Sequence, residues 1–369
     1  MIDYDHIFIH AGLILKLTSA EQLQSVIAHE AAHIANGHIT RRMANLKRAK
    51  VSSAFGVLLA AAVSAGGKTK AGAGIALGTA GSANRIFLAH TRVEETSADQ
   101  SALRYLSHAQ INPTAMSEVF KIFNGQINLR EERQDPYTRS HPLNRDRIRT
   151  INAYTSASTT FPKSEIHTYW FKRIQAKLSA FLRAPKWTLR HAKGGDDVDL
   201  LRQAIANHRI GRGTLAKQKI DQLITIDPKD PYYRELQGQI LLENRQYTKA
   251  IKAYSTAAQL APLNALILGG YGRSLLATNT KHNNLTALKI LQRARGLDNR
   301  DTQILRDIGI AFARAGKQGQ AVLAIAERYA LVGDLKNARL QASKAEALLS
   351  VGSTAWQRAQ DILDTIKAP

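Results

Sequence analysis

Two histidines four residues apart with a glutamate beside the first, His29-Glu30-Ala31-Ala32-His33, are the side chains of this chain best suited to chemistry. On a helix this spacing stacks both imidazoles on one face, where they can grip a single metal ion. The carboxylate then lies beside any water that the ion holds. A zinc ion with two histidine ligands needs at least a third, and the local sequence limits where it can come from. The pattern that supplies a third histidine from the same segment requires glycine at 36 and histidine at 39, and this chain has Asn36 and Ile39. His38 falls one residue early and is expected to face elsewhere on the helix surface. The third ligand is therefore expected from a distant carboxylate. The candidate stretch is RVEETSADQSALRYL, 92–106, where Glu95 and Asp99 stand four apart on a helical pattern and share a face. Glu95 could complete the metal site while Asp99 accepts an imidazole N–H and holds the tautomer.

The elements that must position these groups are legible around them. Thr18 and Glu21 read as a capping box opening a helix, and Gly37 reads as its stop. Leu23, Val26, Ile27 and Ile34 supply an apolar face. Ahead of it lies a strand-like run, HIFIHAGLIL, whose Ile7, Phe8 and Ile9 are expected to form an edge strand able to pair with extended substrate backbone. Between the two candidate metal-binding segments runs Val51–Asn84, rich in Ala, Ser and Gly. It is expected to be a lid, or helices buried or touching a membrane, since its longest uncharged run is at the short limit for spanning a bilayer.

Composition narrows the classes. The 369 residues are 44% hydrophobic and 22% charged, enough apolar content for a buried core. The absence of cysteine excludes disulfide scaffolds, thiolate zinc sites and thiol nucleophiles. A formal charge of +22 favours anionic neighbours, but the basic residues are dispersed and no nucleic-acid module is recognisable, so no specific nucleic-acid partner is expected.

From about residue 200 the chain repeats itself. Pro228 and Pro262 are 34 apart, as are Gly238 and Gly272; Gly272 to Gly309 is 37, which points to a three-residue insertion in TNTKHNN. The 34-residue period is that of helix-turn-helix TPR units. The turns GKQGQA and GDLKNA are only 17 apart, so one helix is expected to serve two repeats. Such arrays present a concave surface to a partner. Between the halves, a basic helix with Trp170, Ile174, Leu178 and Phe181 on one face leads to a Gly194–Asp197 hinge; it is read as docked on a domain, with peripheral membrane contact as the alternative.

The set HIFIHAGLIL, VIAHEAAHIANGHITRR, EETSAD and SHPLNRDRI (140–148) resembles the HtpX-like and CAAX-prenyl-protease family of zinc metallopeptidases, and within it the BepA-type periplasmic branch with C-terminal TPR repeats. The resemblance implies that His29, His33 and Glu95 bind zinc and that Glu30 is the general base. It also marks His141 and Arg147. His141 is a plausible fourth ligand in the water position or a donor to the tetrahedral oxyanion; Arg147 could pair with a site carboxylate or with substrate. Family members normally have more chain, including a signal peptide, before the strand equivalent to HIFIH, so this chain is expected to begin inside the catalytic domain.

The expected fold is mainly α: a gluzincin-type metallopeptidase domain (α+β with a small sheet, truncated at its N-terminus) over 1–165, the basic helix and linker over 166–197, and an α-helical TPR solenoid over 198–369. The expected function is zinc-dependent endopeptidase action on unfolded or misassembled cell-envelope proteins in the periplasm, serving protein quality control and outer-membrane assembly. The alternative is a chaperone-like TPR adaptor with a latent metal site.

Overall fold

The computed structural model describes residues 7–38, 40–41, 44, 91–126 and 133–367. The expectations for Val51–Asn84 lie outside these residues. Two units divide the chain, Met1–Leu178 and Ser179–Pro369, and the boundaries expected at 165 and 197 bracket that division. Among the described residues there is no strand. Ile7 is a single bridge residue, Phe8 is about half exposed, and Ile9 packs on the core, so the small sheet does not extend into them.

The first unit is built around helix α2, Ala20–Ala35, which follows the short α1, Ala11–Lys16. The α2 cap differs from the expected one. Ser19 is the N-cap, its side chain accepting from the Gln22 N–H, and Gln22 reaches back to the Thr18 N–H (2.8 Å) and Thr18 Oγ1 (3.0 Å). The box is thus Ser19 with Gln22, one residue later than Thr18 with Glu21, and the glutamine amide fills the role a glutamate was expected to play. Ile27 is 40% exposed, while Val26, His29, Glu30, Ala32 and His33 are buried. The helix therefore turns a largely polar face inward, which only a polar cluster on the other side can make tolerable.

That cluster is supplied by α3, helical over 91–108, whose Ala98 and Ala102 are fully buried. Such small side chains let two helices approach closely. Asn36, just past the end of α2, donates to Ser97 Oγ and Ser101 Oγ on α3, each at 3.2 Å. Helix α4 (Thr114–Ile122) packs on α2 and, past the short α5 (Pro136–Ser140) in the chain, on α6 (Arg145–Ser156), with Glu118 accepting from Gln22 Nε2 (2.9 Å) and Ser117 donating to Asn152 Oδ1 (2.7 Å). Beneath the polar cluster lies one apolar core including Leu103, Leu106, Met116, Phe120 and Phe171. Phe171 corrects the face assigned to the basic helix α7 (Glu165–Leu182): Trp170 and Ile174 are exposed, and Phe171 is the aromatic that goes in. The Arg173 guanidinium lies 4.6 Å over the Trp170 ring, so the indole is covered by charge and not by core. Gln175 on the same helix donates to the Ile14 and Leu17 carbonyls, satisfying the end of α1.

The second unit is a run of helices from Pro185–His191 to Thr354–Lys367. From Asp197–Arg209 onward, each helix packs on its neighbours in sequence. Pro231–Glu243 also touches Ala265–Ala277, which in turn touches Thr302–Arg314. Its core is a series of small clusters and not one mass, as a solenoid of TPR repeats requires. The insertion in TNTKHNN lengthens a helix: Lys281–Leu297 has 17 residues, capped by Thr280. Gln318–Leu331 packs on Thr302–Arg314 before it, on Leu335–Leu348 after it and on Thr354–Lys367, so this one helix does serve two repeats. No helix among the described residues is long and apolar enough to cross a membrane.

Candidate metal centre

His29, His33, Glu95 and His141, all buried, bring one ligand atom each to within 4.8 Å of one another. His29 Nε2 lies 3.1 Å from His33 Nε2, 3.2 Å from His141 Nδ1 and 3.4 Å from Glu95 Oε2. His141 Nδ1 lies 3.2 Å from Glu95 Oε2, and His33 Nε2 lies 3.4 Å from Glu95 Oε1. Zinc–ligand bonds of about 2.0–2.1 Å at tetrahedral angles place neighbouring donors about 3.3 Å apart. The five separations above lie close to that figure, and all four donors fall within 4.8 Å of one another, so they converge on one point as a bound cation needs.

Charge supports the same fit. Three carboxylates touch these imidazoles, those of Glu30, Glu95 and Asp99, and one guanidinium, Arg147, answers them. With neutral imidazoles these three carboxylates and one guanidinium sum to a charge of −2, which a divalent cation would neutralise. Without a cation the site draws protons onto histidine instead. Burial disfavours charge on His29, but hydrogen bonds and charge from Asp99 and Glu95 outweigh it and push its pKa up to about 9. His141 is likewise raised against burial by Glu95 and Glu30. Burial and the adjacent His29 charge push His33 down to about 3. Despite burial, the hydrogen bond and charge of His141 hold Glu30 at about 2, and Glu95 is held well below its ordinary value by the same residue and by His29.

Two of the imidazoles have a carboxylate beside the outer nitrogen. His29 Nδ1 is 3.0 Å from Asp99 Oδ1, and His141 Nε2 is 2.9 Å from Glu30 Oε1. Arg147 ties the set together. Its Nε and Nη2 donate to the two Asp99 oxygens at 2.7 and 2.8 Å, and its Nη1 donates to the Pro142 carbonyl at 2.7 Å and lies 3.1 Å from Glu95 Oε2. At 2% exposure it faces the site carboxylates, not solvent. The 141–144 loop that carries His141 is fixed by the hydrogen bond from the His141 N–H to the Tyr137 carbonyl and by Asn144, which caps α6 at the Arg147 N–H.

One residue is placed otherwise than expected. His38 is buried, and its Nδ1 lies 2.9 Å from His33 Nδ1. Gly37 adopts a left-handed conformation (φ 67°), so the chain leaves the helical path and doubles back. Continuing α2 through position 38 is what aimed His38 away; the Gly37 that signals the helix end was the clue that the extrapolation fails.

Residues 3–155, less than half of the chain, match the model of Peptidase family M48, and the helices that carry the 34-residue period follow that match. Over 98% of its length the chain is 23% identical to the beta-barrel assembly-enhancing protease of Escherichia coli (strain K12), covering 74% of that protein. The identity is the same to the protein of that name from Yersinia pestis, with 75% of it covered. Among solved structures, MamA 41-end from Desulfovibrio magneticus RS-1 aligns at a TM-score of 0.38 and 18% identity, covering 45% of this chain and 95% of that one.

Proposed function

We propose that this chain is a zinc-dependent endopeptidase that hydrolyses peptide bonds in unfolded or misassembled cell-envelope proteins. The observation that carries the reading is the convergence of four buried donors beside a carboxylate held ionised, Glu30. His29, His33 and Glu95 would hold the ion. Bound there, zinc supplies Lewis acidity toward the scissile carbonyl and makes a water acidic enough to ionise near neutral pH. Glu30 takes the water proton and passes it to the leaving amine, so the C–N bond breaks as the amine is protonated. Asp99 and Arg147 are positioning residues, orienting His29 and Glu95. Residues 1–165 are the catalytic domain, 166–197 the link, and 198–369 the array that docks substrate or an assembly partner. Ile7–Ile9 line the route of extended substrate.

In this arrangement His141 occupies the fourth corner with Nδ1 and engages Glu30 with Nε2. Both the water position and the base are therefore taken, and turnover requires His141 to withdraw. The name of the Escherichia coli relative, beta-barrel assembly-enhancing protease, supports a role in β-barrel assembly; action in the periplasm belongs to the same proposal. The same closed corner favours a second reading, an adaptor with a latent metal site. The test is zinc-dependent cleavage of casein by the parent and by Glu30→Gln. Cleavage by the parent alone supports the peptidase; equal cleavage by both overturns it; function in the cell retained by Glu30→Gln favours the adaptor.

A further inference from the structure

We propose that His38 is a positioning residue for the metal ligand His33, accepting the proton of His33 Nδ1 and so fixing the tautomer that turns His33 Nε2 toward the ion. The proposal rests on the metal-site reading above.

The argument starts from hydrogen-bond chemistry. Two imidazole nitrogens 2.9 Å apart form a hydrogen bond only when one bears hydrogen and the other offers a lone pair. His33 Nε2 points into the convergence of donors, 3.1 Å from His29 Nε2. To serve a cation there it must present its lone pair, which places the ring proton on Nδ1. His33 Nδ1 is then the donor and His38 Nδ1 the acceptor. The rings meet edge-on, with centroids 4.9 Å apart and planes at 76°, so a lone pair in the plane of one ring is not opposed by a stacked face of the other.

The arrangement also completes a pattern. The outer nitrogen of His29 faces the carboxylate of Asp99, and that of His141 faces the carboxylate of Glu30. His33 has a histidine at the same place. A metal-bound imidazole regularly donates its remote N–H to an acceptor that fixes its orientation. A neutral acceptor here also avoids adding a further negative charge to a cluster that already holds three carboxylates. The placement is local: His33 sits in the last turn of α2, and the left-handed Gly37 returns the next residue to the buried side. A histidine that merely filled space would not need a ring nitrogen at hydrogen-bonding distance from the outer nitrogen of His33, which faces a histidine where those of His29 and His141 face carboxylates.

The test is zinc affinity of the full chain, stripped of metal and titrated against a chromophoric chelator, with no substrate present. His38→Ala should weaken zinc binding by about 10–100-fold. His38→Asn places an amide Oδ1 where the imidazole Nδ1 stood and should bind within about threefold of the parent. The metal-free melting temperature of His38→Asn should match that of the parent. Parent-like affinity in His38→Ala overturns the proposal. Equal weakening in both variants, with a lowered metal-free melting temperature, also overturns it by making His38 a packing residue. His33→Ala is the control: if it too binds zinc like the parent, the metal-site reading fails, a result distinct from failure of His38 alone.

Discussion

Arg147→Met is the perturbation whose size follows most directly from the structure. Methionine keeps much of the length of the buried side chain but removes a guanidinium that donates to both Asp99 oxygens and to the Pro142 carbonyl and pairs with Glu95. Asp99 and Glu95 are 2% and 1% exposed, so water cannot replace what is lost. Removing one partner from a buried ion pair costs about 3–5 kcal/mol, a large share of the ~5–15 kcal/mol that typically stabilises a domain. The effect has a pH signature. Burial alone would raise the Asp99 carboxyl, but hydrogen bonds and charge from Arg147 and His29 hold it below its ordinary value. A depressed carboxylate contributes stability that is present above its unfolded pKa, about 3.9, and lost as pH falls through the folded value. In the variant only His29 still opposes burial, so the Asp99 carboxyl rises and acid relieves part of the penalty of keeping it ionised. The loss should therefore be greatest near pH 7 and shrink toward pH 5. Urea denaturation of metal-free parent and variant at the two pH values measures this. A loss below about 1 kcal/mol at pH 7, where a buried pair should cost several, or one that grows on acidification, refutes the reasoning.

His141→Ala leaves His29, His33 and Glu95 in place and frees Glu30. Casein hydrolysis by this variant should exceed that of the parent, whereas a fall in rate would assign His141 to the oxyanion. The proton drawn onto His29 must leave when a cation binds, so zinc uptake at pH 7 should release at least one proton, and apparent affinity should fall as pH drops. Calorimetry in two buffers of different ionisation enthalpy reads the number. Because the folded pKa of His29 is raised to about 9, its contribution to the metal-free fold is complete below about pH 6.5 and lost as pH rises through about 9; a metal-free melting temperature that is flat across this range would contradict that assignment. In the repeats, a Cβ on Gly272 would sit 2.4 Å from Leu291 Cγ. Gly272→Ala should cost about 1–3 kcal/mol despite its better helix propensity, read as a lower melting temperature of the second unit.

The parts of the site that the chain spells out locally were legible in it. His29 with His33, and Glu95 with Asp99, are each four apart on one helix, and helical geometry alone aligns such pairs. The repeat period likewise exposed the solenoid, including the helix shared by two repeats. Reading faces by hydrophobicity went astray where a polar cluster or a stacked charge replaced the core. Ile27 is exposed because α2 buries its histidines, and Trp170 is exposed because Arg173 covers it while Phe171 goes inside.

What the sequence determined by itself is therefore the chemistry: the donor types, their i, i+4 spacing and the helices that carry them. Tertiary structure alone decided how those helices meet. Residues 112 and 48 positions apart in the chain, His29 with His141 and Asp99 with Arg147, touch only because α2, α3 and α6 pack around one core. The return of His38 onto His33 depends on a single left-handed residue, Gly37. Spacing along a helix is set by local backbone geometry, whereas these contacts depend on packing between segments distant in the chain and on one dihedral angle at a turn.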